Sequence, residues 1–244
     1  ARFPNAIQAA MDGTYIGTFD DRIRDYVRGG GPFDSDPRVQ GFASGKYGYP
    51  NAYYGNATSK LAQQMTMDGI KVGLTGALQD YVLRTYKDTN TLGQGVSYNG
   101  APTGYTKNPV EQIAYVDAHD NESLYDALAY KLPTTATMAE RIRYQVLGLA
   151  VPTMGQGLPF VLAGSDLLRS KSMDKNSYNS GDWFNAIHWD LSTNGFGRGL
   201  PIEATNMAQA TTLLGISSLV PTAADMQKTS GMWQDLLKVR YSSK

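Results

Sequence analysis

Cysteine is absent from this chain, which excludes a disulfide framework and any thiolate metal site and leaves the redox compartment open. Histidine is almost absent: His119 and His188 are too few for a histidine-rich metal centre. Neither charge dominates, since 22 Lys and Arg balance 22 Asp and Glu. No net field therefore directs the chain to nucleic acid or to an anionic membrane. No apolar run approaches the length of a membrane-spanning helix. The opening Ala1-Arg-Phe-Pro-Asn5 lacks an initiator Met, a basic n-region and an apolar h-region, so it is not a signal peptide and reads as a cut made inside a longer protein. What the chain does have is 16 Tyr, 26 Gly and 11 Pro in 244 residues, a composition of long, structured, aromatic loops on a modest scaffold. The 41% hydrophobic content is enough for a core in one large α/β domain or two small ones. Aromatic faces beside short polar side chains suit sugars, and equally suit interface packing.

No repeat, low-complexity block or Pro/Ser linker divides the sequence. A first strand is expected near Thr14–Phe19 and a short charged helix or turn over Asp20–Arg28, stopped by Gly29-Gly-Gly-Pro32. Residues 33–57 read as a long loop. Thr58 or Ser59 caps a helix to about Asp68, with Leu61 and Met65 on one face. Gly69–Thr75 looks extended, and residues 86–108 read as another loop. Ile113–Val116 is a strand, and helix-compatible sequence follows from Ser123 to Tyr130. Thr137 with Glu140 forms a capping-box pattern before the stripe Met138, Ile142, Val146, Leu149. Gly157–Ala163 reads as a second buried strand. A long loop over Asp174–Arg198 precedes helices over roughly Met207–Leu219 and Ala223–Arg240, with Trp233, Leu237 and Tyr241 on one face of the last. The order strand, helix, strand, loop, helix predicts parallel βαβ units.

The densest polar cluster follows the strand Ile113–Val116: Asp117, His119, Asp120, Asn121 and Glu122. A buried strand that delivers His and Asp at its C-terminal tip is how α/β enzymes build sites. A satisfied polar turn with Asn121 or Ser123 as helix cap explains the same residues, and local features do not separate the two. Polar clusters recur after the other strands, at Asp20-Asp21 and Ser165-Asp166.

Five blocks together carry a resemblance: Gly17-Thr-Phe-Asp-Asp-Arg-Ile-Arg-Asp25 with Arg28-Gly-Gly-Gly-Pro-Phe33; Tyr98-Asn-Gly-Ala-Pro-Thr-Gly-Tyr105; Tyr115-Val-Asp-Ala-His-Asp-Asn-Glu-Ser-Leu124; Leu168-Arg-Ser-Lys-Ser172 with Ser177-Tyr-Asn-Ser-Gly-Asp-Trp-Phe-Asn185; and Lys238-Val-Arg-Tyr-Ser242. In that order they resemble the later part of the catalytic domain of type I pullulanases and limit dextrinases, debranching glycoside hydrolases of the α-amylase superfamily. Residues 201–230 match less clearly. The resemblance implies an α/β fold that is a partial (β/α)8 TIM barrel, roughly strands 6 to 8 with their helices and long loops, and assigns residues 1–244 to the C-terminal part of one catalytic domain. Thr14–Phe19, Ile113–Val116 and Leu158–Ala163 become the sixth, seventh and eighth strands. The nucleophile and the acid/base, on the fourth and fifth strands, are expected upstream of Ala1, and the missing N-terminal part of the barrel is then a partner.

By the same resemblance, Asp120 is the third catalytic carboxylate, a transition-state stabiliser that bonds the 2- and 3-hydroxyls of the sugar being cleaved, and His119 donates to that sugar. Asn121 positions the pair or meets sugar. A carboxylate in this role faces a sugar-sized cleft; one turned to bulk solvent or buried against an arginine does not fit it. Phe33 lines the acceptor side of the cleft, or alternatively plugs a loop core. Lys175 and Asn176 stand where the family has a substrate-contacting basic residue followed by Asp. Asn176 removes that charge, and Lys175 keeps charge without bidentate geometry. Arg22, Arg24 and Asp25 are expected in a structural ion-pair network at the barrel rim. The implied substrates are α-glucans: pullulan, amylopectin and limit dextrins. The chemistry requires no metal or organic cofactor; family members often bind Ca2+, which the full-length enzyme could hold, but no acidic cage such as an EF-hand loop is present in the sequence. Secretion or the cell surface is favoured as location, with cytoplasmic and plastidic relatives leaving it open. A catalytically inactive glucan-binding or structural fragment, and an isoamylase-like debranching enzyme, are the alternatives.

Overall fold

The computed structural model describes residues 7–242, so the reading of Ala1–Asn5 as an internal cut lies outside the described residues. In chain order the elements are α1 (Gln8–Met11), β1 (Thr18–Phe19), α2 (Asp21–Arg28), α3 (Lys60–Leu74), β2 (Val82–Arg84), β3 (Asn90–Leu92), β4 (Ser97–Tyr98), β5 (Ala101–Pro102), β6 (Gln112–Ala114), α4 (Leu124–Lys131), α5 (Met138–Met154), β7 (Leu158–Pro159), α6 (Asp182–Asn185), α7 (Met207–Leu214) and α8 (Ala223–Tyr241). The architecture is α/β with a small parallel sheet of order β1-β6-β7, in which Phe19 pairs with Ile113 and Ile113 with Leu158.

The strands are shorter than their apolar runs. Tyr15 adopts a left-handed φ of 63° beside Gly13 at 76°, so Thr14–Ile16 turns rather than pairs. Pro159 brings no N–H to the ladder and shortens β7. The expectation of a second buried strand is corrected: β7 is an edge strand, and Leu158 is 50% exposed. Phe19, Tyr115 and Phe160 stack edge-to-face beside the sheet, with centroids 5.1 and 5.2 Å apart.

The carboxylate of buried Asp20 caps α2 by accepting from the backbone N–H of Arg22 and Ile23, and also accepts from Gln112 Nε2 at 2.6 Å. One side chain thus starts a helix and ties β1 to β6. Gly29 ends α2 at a φ of 87°.

The extended segment expected over Gly69–Thr75 is instead the second half of α3, capped by Ser59. A Cβ at Gly69 would lie 2.3 Å from the Tyr26 ring, and one at Gly73 2.7 Å from Ile23. Glycines that weaken a helix locally here let α2 and α3 approach, and packing overrides propensity. Leu61 and Met65, placed on one face of this helix, are both exposed.

Residues 82–102 fold into two hairpins that the loop reading missed. The second turns at Asn99-Gly100, both at positive φ, the signature of a type I′ turn.

Ser123 caps α4 by accepting from Asp126 N, and Thr137 and Glu140 form the expected capping box on α5. Helix α5 continues past Leu149 to Met154 and packs on α8. Trp233 Nε1 donates to Thr153 Oγ1 at 3.0 Å, and Arg240 donates to the carbonyls of Thr153 and Gly155, closing the helix terminus. Tyr241, placed on one face with Trp233 and Leu237, is exposed. One core cluster joins Ile23, Val27, Ile70, Val116, Leu128 and Leu149; a second joins Tyr125, Ile142, Leu168, Phe196 and Leu213. No helix among the described residues is long and apolar enough to cross a membrane.

Candidate functional site

The chain leaving β6 at Ala114 must turn into α4 at Leu124, and the ten residues from Tyr115 to Leu124 do so over a buried polar floor. Asp117 is fully buried; its carboxylate accepts from the Leu124 N–H at 3.0 Å and from Ser165 Oγ at 2.5 Å. Burial pushes its pKa up. Two cations take the loop's carbonyls. Arg28 Nη1 donates to the carbonyls of Val116 and Glu122, and its Nη2 meets Glu122 Oε2 at 3.3 Å. Lys171 Nζ donates to the carbonyl of His119 at 2.7 Å and to that of Asn121. Burial works to raise the Glu122 pKa, but Arg28 and the Thr205 hydroxyl hold it below the usual range.

On this floor the His119 and Asp120 side chains stand 80% and 73% exposed, with Nε2 and Oδ1 3.5 Å apart. Asn121 follows in the left-handed region at a φ of 61°. His119, Asp120 and Asn121 are therefore presented together, with their backbone fixed from below. Asp120 is not buried against an arginine. The sugar-sized cleft expected around it is not found among the described residues, however. Its carboxylate is turned to bulk solvent, the placement that does not fit the expected role for the segment by itself, and the neighbouring cavity, ≈ 30 Å³, is lined by Asn121, Glu122, Arg28, Lys131 and Gly29–Pro32 but not by Asp120. Among the described residues the sheet that carries the loop has three strands, with β1 and β7 at its edges.

Phe33 is 98% exposed, which rules out a loop-core plug. Its loop is anchored by buried Lys131, whose Nζ donates to the carbonyls of Gly29, Pro37 and Val39 at 2.9, 2.9 and 2.7 Å. Burial, aided by Arg28, brings Lys131 down to about 7. A pocket of ≈ 390 Å³ opens between this loop and the β4–β5 hairpin, lined by Asp25, Asp34, Lys46, Tyr98 and Asn99.

Lys175 and Asn176 both engage Glu203: Lys175 Nζ lies 3.5 Å from Glu203 Oε1, and Asn176 Nδ2 donates to Glu203 Oε2 at 2.9 Å. Two residues on, Thr205 donates to Glu122, so one short segment links both parts. Arg24 pairs with Asp25 at 2.7 Å and donates to Tyr115 OH, Tyr98 OH donates to Asp25, and Arg22 lies over the rings of Tyr98 and Tyr105. His188 Nδ1 sits 3.2 Å from Ser192 Oγ within its own loop. Among the described residues no three His, Cys, Asp or Glu side chains converge as a metal-binding set.

Arg28, Lys131 and Lys171 were not singled out from sequence as parts of the site, and Asp117 and Glu122 only as members of the polar cluster. The signal was there in part: Lys171 stands in the Arg-Ser-Lys-Ser block, and Arg28 opens the glycine run. Burial of those charges follows only from tertiary packing.

A family model described as alpha-1,6-glucosidases, pullulanase-type, C-terminal, matches residues 191–244. The chain is 38% identical, over 99% of its length, to the pullulanase of Klebsiella pneumoniae, and 39% identical, over 98%, to the chloroplastic pullulanase 1 of Arabidopsis thaliana. It spans only 22% and 25% of the length of those relatives. A crystal structure of Klebsiella pneumoniae pullulanase complexed with maltotriose matches its fold with a TM-score of 0.92 at 37% identity, covering 99% of this chain and 23% of that one. These relatives are pullulanases, which as a class are glycoside hydrolases. More narrowly, the chain is similar over its whole length to one segment of the pullulanases.

Proposed function

We propose that this chain is part of a debranching enzyme that hydrolyses α-1,6-glucosidic linkages in pullulan, amylopectin and limit dextrins with retention of configuration. Residues 1–244 form the C-terminal part of one (β/α)8 domain, with β1, β6 and β7 as its sixth, seventh and eighth strands. The observation that carries the reading is the match along the whole chain, in sequence and fold, to pullulanase, including one crystallised with maltotriose. Locally, His119 and Asp120 stand at the C-terminal edge of a parallel strand, where such folds gather their chemistry, while the solvent-open Asp120 carboxylate requires walls from outside this segment to complete a cleft.

In this reading the Asp120 carboxylate accepts hydrogen bonds from the 2- and 3-hydroxyls of the glucose at the cleavage point, and His119 donates to the same ring. These bonds strengthen as the anomeric carbon becomes oxocarbenium-like, so they lower the barrier more than they tighten binding. The nucleophile and acid/base carboxylates, and the opposing wall of the cleft, come from outside this segment. Phe33 offers a ring face on the acceptor side. As an isolated polypeptide the chain is then a glucan-binding piece without turnover, a second reading favoured by the open face around Asp120.

The test uses the full-length enzyme that carries the segment. Asp120→Asn should remove most of the release of maltotriose from pullulan while substrate binding falls far less. Near-normal kcat in that variant sinks the assignment of Asp120, and action on glycogen without action on pullulan moves the protein to an isoamylase-like class.

A further inference from the structure

Lys171 lies only 3% exposed, directly beneath the loop that presents Asp120. Its ammonium donates to two backbone carbonyls, those of His119 and Asn121, which are the residues on either side of Asp120. Its own backbone N–H donates to Asp126 Oδ2 at 2.7 Å, and the other oxygen of that carboxylate accepts from Ser170 Oγ at 2.5 Å. Asp126 sits in the first turn of α4, so the anchor at the base of Lys171 is part of the helix that follows the loop. An ammonium taken out of water is costly unless its donors find acceptors. Here the acceptors are the two carbonyls that bracket one exposed carboxylate. Turning the Asn121 carbonyl inward coincides with the left-handed φ of 61° at that residue, and with both flanking carbonyls drawn down the Asp120 side chain is left standing in solvent. Arg28, the other cation under the loop, is compensated by Glu122 and grips only the loop's two ends, Val116 and Glu122.

We propose that Lys171 is a positioning residue for Asp120: it fixes the aim of the carboxylate by holding the carbonyls of the residues on both sides of it, without touching substrate. The proposal rests on the reading of Asp120 as transition-state stabiliser. The clamp sets where the carboxylate meets the ring rather than whether substrate binds, so its loss appears in kcat more than in KM.

The experiment compares Lys171→Met, Lys171→Gln, Lys171→Ala and Asp120→Asn in the full-length enzyme, with pullulan as substrate. Lys171→Met should lower kcat by roughly 100-fold, the scale of a misplacement of about 1 Å, with KM changed less than about threefold. Lys171→Ala should recover part of its kcat on addition of methylammonium, which can refill the vacated donor position. Should Lys171→Met not fold, Lys171→Gln, which keeps an N–H donor on a shorter shaft, decides: lost kcat at an unchanged Tm supports the clamp. A Tm that falls while kcat per folded molecule stays intact assigns Lys171 to stability alone and overturns the proposal. Full turnover in Asp120→Asn overturns the site reading and the clamp together. Loss of turnover in Asp120→Asn beside intact kcat in the Lys171 variants overturns the clamp alone.

Discussion

Ser165 Oγ donates to Asp117 Oδ2 at 2.5 Å, joining the polypeptide that follows β7 to the polypeptide that follows β6. The same oxygen accepts the first N–H of α4, from Leu124. One buried carboxylate therefore fixes the spacing of two neighbouring strand ends and the start of a helix. Asp117→Ala leaves a buried hydroxyl and a buried N–H without an acceptor and should cost on the order of 2–4 kcal/mol in urea denaturation. Asp117→Asn keeps an acceptor in place and should cost less than half of that. Equal losses in the two variants would mean that the charge, not the hydrogen bonds, holds the strand ends together.

Gly69 touches the Tyr26 ring so closely that an added methyl group would lie 2.3 Å from Cε2. The ring cannot easily swing away, because Tyr26 OH donates to the Ser97 carbonyl at 2.9 Å. Gly69→Ala should destabilise by about 1–3 kcal/mol, although alanine is the better helix former. Combining it with Tyr26→Leu should give a loss smaller than the sum of the two single losses, measured as a double-mutant cycle. Strict additivity would show that the glycine is needed for some reason other than this crossing.

That crossing also shows where the sequence could be read and where it could not. Caps and glycine stops are local chemistry, and Ser123, Thr137 with Glu140 and Gly29 stand where the residue pattern put them. Gly69-Ile-Lys-Val-Gly-Leu-Thr75 looked extended because glycine and β-branched residues disfavour helix, and nothing local announces that Tyr26 and Ile23 require those glycines. The Asn99-Gly100 turn was legible in principle, yet a Tyr- and Gly-rich setting disguised the short strands on either side. In the site, the exposed pair His119-Asp120 could be found by motif, since it projects from a strand end. Its supports Arg28 and Lys171 come from distant parts of the chain, and a single sequence does not show that they are buried beneath the pair together with the nearby Asp117.

Asp126 offers a test with a defined sign. Burial pushes its carboxyl up from 3.8 to about 6, and Asp20 is raised to about 6 for the same reason. Between those values the folded chain binds more protons than the unfolded one, so these groups stabilise most below pH 3.8 and lose that contribution as pH rises through about 6. Asp126→Asn does not titrate. The difference in unfolding free energy between wild type and Asp126→Asn should therefore shift against wild type from pH 4 to pH 7, by about 3 kcal/mol at most. Above pH 7 the difference should be flat. A shift in the opposite direction would mean that Asp126 is held ionised by Ser170 and the Lys171 N–H.

Phe33 allows binding to be separated from folding. At 98% exposure, it rests on a loop whose shape is set by the Lys131 ammonium and the Gly29, Pro37 and Val39 carbonyls rather than by its own ring. Phe33→Ala should leave the unfolding free energy within about 0.5 kcal/mol of wild type. If the ring meets a glucose face on the acceptor side, its loss removes a stacking contact worth about 0.5–1.5 kcal/mol. In the full-length enzyme KM for pullulan should then rise between about twofold and tenfold, with kcat nearly unchanged, because the contact is made equally in ground and transition states. Lys131→Met provides the contrast: it should speed proteolysis of the loop between Gly30 and Arg38 by removing its anchor. A Phe33→Ala variant with unchanged KM, beside a Lys131→Met variant with raised KM, would move the substrate contact from the aromatic ring to the backbone of the loop that carries it.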